Sequence, residues 1–227
     1  MILFMCGDVD CGKAEKLVDK YVTASPNGEI TRFMPDEPKE VCEHYKEQFL
    51  SVSTPIFQIG FKDTDVGYGG RDLLKKDITT SIIIEALLGD GSDLYNRLYD
   101  SGLITDSLDC EYDGEVSYGY TSVGGESPDP EKVRDIILET FDNLKITEEE
   151  FERAKRVETA RYLRMWNSVE GVSNTMVSAL FKDINIFEYS SLIADITLLD
   201  AQERFDSHFT RGNCVLSVIR PYGGEEK

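Results

Sequence analysis

From Lys76 to Ile104 the chain reads KDITTSIIIEALLGDGSDLYNRLYDSGLI. Ile78, Ile82, Ile83, Ile84, Ala86, Leu87 and Leu88 cover most of a helical circumference, so the pattern predicts a buried helix and not a surface one. Gly89 stops it, and a polar turn, Asp90 to Asp93, follows. Leu94, Tyr95, Leu98 and Tyr99 then give an amphipathic helix that Gly102 ends. Both glycines stand where left-handed C-cap residues are expected. A buried helix turning on glycine into an amphipathic one is first of all scaffold.

Around this stretch the period changes repeatedly. Met1 to Gly7 is a short apolar run that reads as a buried strand. Asp8 and Asp10 are placed to cap a helix with the apolar face Ala14, Leu17, Val18, Tyr21 and Val22. Residues 24–44 hold Pro26, Asn27, Gly28, Pro35 and Pro38 among many acids, the composition of a linker. Tyr45 to Gln58 mixes Phe49, Val52 and Ile56 with polar residues and yields no clear period. Phe57, Ile59 and Phe61 share one face of a predicted strand. Leu108–Tyr112 and Val116–Val123 read as a hairpin turning on Asp113-Gly114. Its second arm puts Val116, Tyr118, Tyr120 and Ser122 on one face, and Gly124 and Gly125 end it. Asp129 at the N-cap and Pro130 at N1 open a helix striped by Val133, Ile136, Ile137, Phe141 and Leu144. Thr147 and Glu150 form a capping box for a long polar helix. Asn167-Ser168 breaks it, and Val169 to Phe181 continues as a helix. Tyr189–Ile193 is short and helical, Thr197 with Asp200 opens another helix, and Val215–Ile219 is a final buried strand. The order predicts an α+β domain: a mixed or antiparallel sheet with helices packed on one face.

Composition narrows the chemistry. The 227 residues carry 43 acidic against 24 basic side chains, a formal net charge of −19. Phosphate-backbone binding needs clustered Lys and Arg, so no nucleic acid is expected as a partner. An anionic membrane surface is disfavoured for the same reason, while an unfolded cationic segment would be attracted. No apolar run approaches the roughly 20 residues that span a bilayer, and the opening residues lack the form of a signal sequence. A cytoplasmic protein is therefore expected. The five cysteines are scattered and include no CxxC pair, so reduced thiols are expected, with neither a disulfide framework nor a structural zinc site. Histidine occurs only at His44 and His208. His44-Tyr45-Lys46-Glu47-Gln48 is one residue short of the inverted zinc motif His-x-x-Glu-His, because Gln48 stands at the second histidine. Glu148–Glu150 favour a helix N-terminus over acid catalysis. Gly89–Ser92 is a poor phosphate cradle with Asp90 and Asp93 beside it. Tyr118 and Tyr120 are read as core residues, with the lining of a peptide groove as the alternative.

Taken together, several of these motifs resemble the pitrilysin/insulinase family of zinc peptidases, in particular its processing-peptidase-like bacterial members. LLGDGSDLYNRLYDSGLI is similar to the family's apolar helix, glycine-rich turn, Ser-Arg-Leu and Gly-Leu, with Asn96-Arg97-Leu98 and Gly102-Leu103 in those places. MILFMCGDVDCGKAEKLVDKYV resembles the strand and helix that close an upstream domain, ITEEEFERAKRVETARYL a long helix, and WNSVEGVSNTMVSALFKDINIFEYSSLI the region after it. The resemblance implies a LuxS/processing-peptidase-like metallohydrolase fold. It divides the chain into a terminal strand and helix of the preceding domain (1–23), a linker (24–44) and a C-terminal, non-zinc domain (45–224). It further implies no catalytic or metal-binding residue and no cofactor here, zinc being expected in an N-terminal half of the parent. The family's distal Arg and Tyr would fall on Ser122 and Asp129, so that pair is missing. Gly89, Gly91 and Ser92 correspond to a substrate-contacting glycine-rich loop, and Tyr118 and Tyr120 lie close by. The implied partners are a peptide or unfolded substrate and a homologous N-terminal domain or paired subunit. The implied role is one wall of a peptide-binding chamber, inactive alone; the alternative is a noncatalytic assembly subunit beside an active partner.

Overall fold

The computed structural model describes residues 2–22 and 38–223. Helix α1 (Cys11–Tyr21) comes first, with Asp10 accepting from the Lys13 amide as the expected N-cap. It buries none of its residues. Residues 2–6, expected as a buried strand, have no regular structure, and Ile2, Leu3 and Met5 are exposed. A strand needs a hydrogen-bonding neighbour, and the five-stranded sheet leaves this segment out. The expected linker falls largely on residues 23–37, outside those described.

The sheet has the order β1-β5-β2-β4-β3. Strand β1 (Tyr45–Leu50) lies parallel to β5 (Cys214–Pro221), and all other pairs are antiparallel. β1 is the element that sequence periodicity misses. All six of its residues are exposed, so no apolar alternation marks it. β2 (Ile56–Lys62) is the central strand, and Phe57, Ile59 and Phe61 on its one face are at most 1% exposed. Leu216 and Val218 of β5 and Thr121 and Val123 of β4 (Gly119–Glu126) join them on the packed face.

Helix α2 (Gly70–Leu88) covers that face and is buried along most of its length. α3 (Asp93–Asp100) follows, capped by Ser92. Gly102, at φ +71°, is the left-handed residue expected after α3. Gly89 corrects the parallel expectation for α2, since its φ of −65° is not left-handed. Glycine is needed there for space: a Cβ would sit 2.6 Å from the Glu85 carbonyl oxygen.

β3 (Asp109–Gly114) and β4 form the expected hairpin, but its turn is Glu115–Tyr118 and β4 runs on to Glu126. The Asp-Gly signal misplaces the turn because Gly114 is a strand residue paired with Gly119. It owes its smallness to the Asp77 carboxylate and Tyr112 ring packed against its Cα. The remaining helices are α4 (Pro130–Phe141), α5 (Glu148–Met165), α6 (Val169–Phe181), α7 (Tyr189–Asp195) and α8 (Leu198–His208). Asp129 caps α4, and the boxes Thr147/Glu150 and Thr197/Asp200 open α5 and α8, as expected. Ser168 caps α6 at the expected break.

Candidate peptide-binding edge and glycine turn

A buried helix carrying charges must pair them, because an unpaired buried charge costs several kcal/mol. α2 does so at both ends. Near its start, Lys76 meets Asp63 at 3.3 Å, with both side chains at most 5% exposed. Asp63, just after β2, also accepts from Tyr112 Oη at 2.6 Å and from both terminal nitrogens of Arg204 at 3.2 and 2.7 Å. One carboxylate thus ties the ends of β2 and β3 to α2 and α8. Burial alone would raise its pKa, but Arg204, Tyr112 and the Asp65 amide hold it well below the carboxylate range. Arg204 also lies over the Tyr112 ring at 5.3 Å. Asp77, one residue beyond Lys76, has the opposite fate. Its Oδ1 is buried without a hydrogen bond, and burial pushes its pKa up to about 7 against the pull of Lys182, Lys76 and Arg204.

Near its end α2 presents Glu85, the lone acid in IIIEALL. Arg153 Nη1 donates to it at 3.1 Å, and Arg161 Nη2 at 2.6 Å. Arg153 also donates to the Glu85 and Ala86 carbonyls, and Arg161 bridges to buried Glu158. Burial raises the Glu158 pKa against the pull of Arg161. This knot fixes α5 against the last turn of α2 and shapes a cleft of about 380 Å³. Glu85, Gly89, Gly91, Leu108, Cys110 and Arg161 are among its lining residues. Burial drives the Cys110 thiol up to about 12, so it is no nucleophile at neutral pH.

Between the two ends runs β3, the last strand of the sheet, with β4 on its inner side. Among the described residues its outer edge has no strand neighbour, and such an edge is the place where an extended chain adds. Gly89 and Gly91 line the cleft beside Leu108 and Cys110, at the start of this edge. Ser92 is turned inward: it is 4% exposed, and its Oγ accepts from the Tyr95 amide. Tyr118 lies in the hairpin turn and Tyr120 on the open face of β4. Both are exposed, at 45% and 39%, which overturns the core expectation: the helices cover the other face of the sheet. The glycine turn and the tyrosines therefore mark opposite ends of β3 and do not form one pocket. Sequence reasoning missed the Asp63–Arg204 cluster, whose members are 141 residues apart. Only Glu85, an acid inside an apolar helix, carried a signal.

The family model described as "Peptidase M16 inactive domain" matches residues 1–158. The chain belongs to this family. It is 29% identical to the zinc protease YmfH of Bacillus subtilis (strain 168) over 97% of this chain and 53% of that protein. An M16-like peptidase from Alicyclobacillus acidocaldarius superposes with a TM-score of 0.85 at 25% identity, over 94% of this chain and 52% of the other. The inactive peptidase domain of a zinc protease from Bordetella parapertussis shares the fold, with a TM-score of 0.64 at 16% identity over 79% of this chain and 97% of that one. The chain thus spans about half the length of the curated relative it matches.

Among the described residues of this M16 inactive domain, the two histidines do not fit one zinc ion. His44 precedes a strand, and its Nδ1 is 2.8 Å from the Cys214 carbonyl. Positions 44 and 48 on an extended chain are about 13 Å apart, too far for one metal. His208 is buried against Thr121 Oγ1 at 2.8 Å, and burial lowers its pKa to about 3. No group of His, Cys, Asp and Glu among the described residues converges on a metal site.

Proposed function

We propose that the chain is the non-zinc, C-terminal half of a bacterial zinc peptidase and forms one wall of its peptide-binding chamber. Residues 45–224 would make the wall, with 1–23 belonging to the homologous N-terminal domain and 24–44 joining the two. The observation that carries this reading is the outer edge of β3, which no described strand pairs, beside the open sheet face and the Gly89–Gly91 cleft. An extended substrate would add along that edge, fronted by Tyr118, Tyr120, Gly89 and Gly91, while Ser92, turned inward, would hold the glycine turn in place by capping α3. The spread of those residues along β3 supports contact with several substrate positions over a single pocket. Zinc and the activated water would come from the N-terminal half. The bacterial relatives support a bacterial origin, and five free cysteines are consistent with a cytoplasmic setting. Neither nucleic acid nor a membrane is part of the proposal. Among the described residues no helix is long and apolar enough to cross a bilayer.

The test is a quenched-fluorescent peptide assay of the chain with excess zinc, alone and mixed with the zinc-bearing half of the parent. Activity is expected only in the mixture. Turnover by the chain alone with zinc would overturn the proposal.

A further inference from the structure

The chamber-wall reading leaves open which peptides the β3 edge prefers. Pairing across the sheet decides which side chains stand on its open face. Asp113 is opposite Tyr120, Glu111 opposite Ser122, and Asp109 opposite Gly124. Ser122 and Gly124 in turn face Gly60 and Gln58 of β2. The neighbours of the three acids are thus small or uncharged, except that Lys62 stands across Tyr120 from Asp113. Lys62 donates to the Glu40 carbonyl at 3.3 Å. Among the described residues no ion pair engages Asp109, Glu111 or Asp113, and Lys62 has a further interaction of its own besides the Glu40 carbonyl.

These acids alternate along the strand, so they stand about 6.8 Å apart on one face. An added strand obeys the same period: its alternate side chains fall on the same open face, at the same spacing. Three like charges in a row repel one another, and an incoming row of cations removes that repulsion. Tyr120, exposed beside Asp113, offers a ring face to the same cations.

We infer that the β3 edge takes an extended peptide carrying Lys or Arg at alternate positions, with the cations against Asp109, Glu111 and Asp113. The inference rests on the chamber-wall reading, because it needs a strand to add at β3. It narrows the substrate class to cationic segments with a two-residue period, not basic segments in general.

The experiment is an NMR titration of the full chain with three hexapeptides, matching the six residues of β3. One alternates Lys and Thr, one alternates Gln and Thr, and one has three Lys in a block followed by three Thr. The alternating Lys peptide is expected to bind about tenfold tighter than the Gln peptide and to shift the β3 amides. It should also bind tighter than the block peptide, and the advantage should shrink at 0.5 M salt. The variant D109N/E111Q/D113N should bind the Lys and Gln peptides alike. Should that variant fold poorly, E111Q with the wild-type salt series carries the same test. Equal binding of Lys and Gln peptides at β3 would sink the cationic preference and leave edge addition standing. Equal binding of alternating and block peptides would sink the two-residue period. No β3 shift with any peptide would sink the edge reading itself.

Discussion

Asp63 and Asp77 face overlapping sets of neighbours and titrate in opposite directions. The folded state depresses Asp63, so the stability it contributes is present above the ordinary carboxylate pKa and is lost as pH falls through its folded value. Asp77 is raised from 3.8 to about 7, so the unfolded chain gives up this proton first. Its ionisation destabilises the fold progressively as pH rises from about 4 to about 7, and the cost is constant above that. Asp77→Asn should therefore stabilise the protein by roughly 2–4 kcal/mol at pH 8 and have little effect at pH 4. Thermal melts at the two pH values check this, and an equal effect at both would refute it. At this scale the caps were legible in the sequence. Asp10, Asp129, Thr147 and Thr197 each act on an amide three residues on, so a short window contains the whole interaction. Asp63 was not legible, because its partners arrive from β3, α2 and α8, and no local pattern records which distant arginine will meet it.

Elements were legible where one face is buried and the other wet. β2 and α4 follow their periods because the core takes one side of each. β1 shows no period because neither face is buried, and its extended form comes from pairing with β5. The opposite error befell residues 2–6, which are apolar enough for a strand but have no strand beside them. Glycine was the least transparent signal. It marked a left-handed cap correctly at Gly102, but at Gly89 and Gly114 it reports crowding by Glu85 and by Asp77 with Tyr112. Gly89→Ala should accordingly destabilise the α2–α3 junction by about 1–3 kcal/mol, the cost of overpacking. Urea unfolding measures this loss. A loss near zero would restore the simple view of Gly89 as an interchangeable turn residue, since its φ is one that alanine adopts readily.

For the whole molecule, the α+β class followed from the order of periods along the chain. What the sequence left hidden was which edge of the sheet stays open, since strand order is a property of long-range pairing. That pairing also bears on the order of events during synthesis. β5 lies between β1 and β2 although it is made after both. Until Cys214–Pro221 has left the ribosome, β1 has no strand beside it and β2 lacks one of its two neighbours. The earlier strands and helices therefore wait as an unclosed half-sheet, with Phe57, Ile59 and Phe61 bordered on one side by solvent. A long-range strand insertion of this kind is slow and exposes apolar surface meanwhile. Nascent chains arrested before Cys214 should be cut readily by protease at β1, whereas chains released beyond Pro221 should resist. The last strand to be made is the one that closes the sheet.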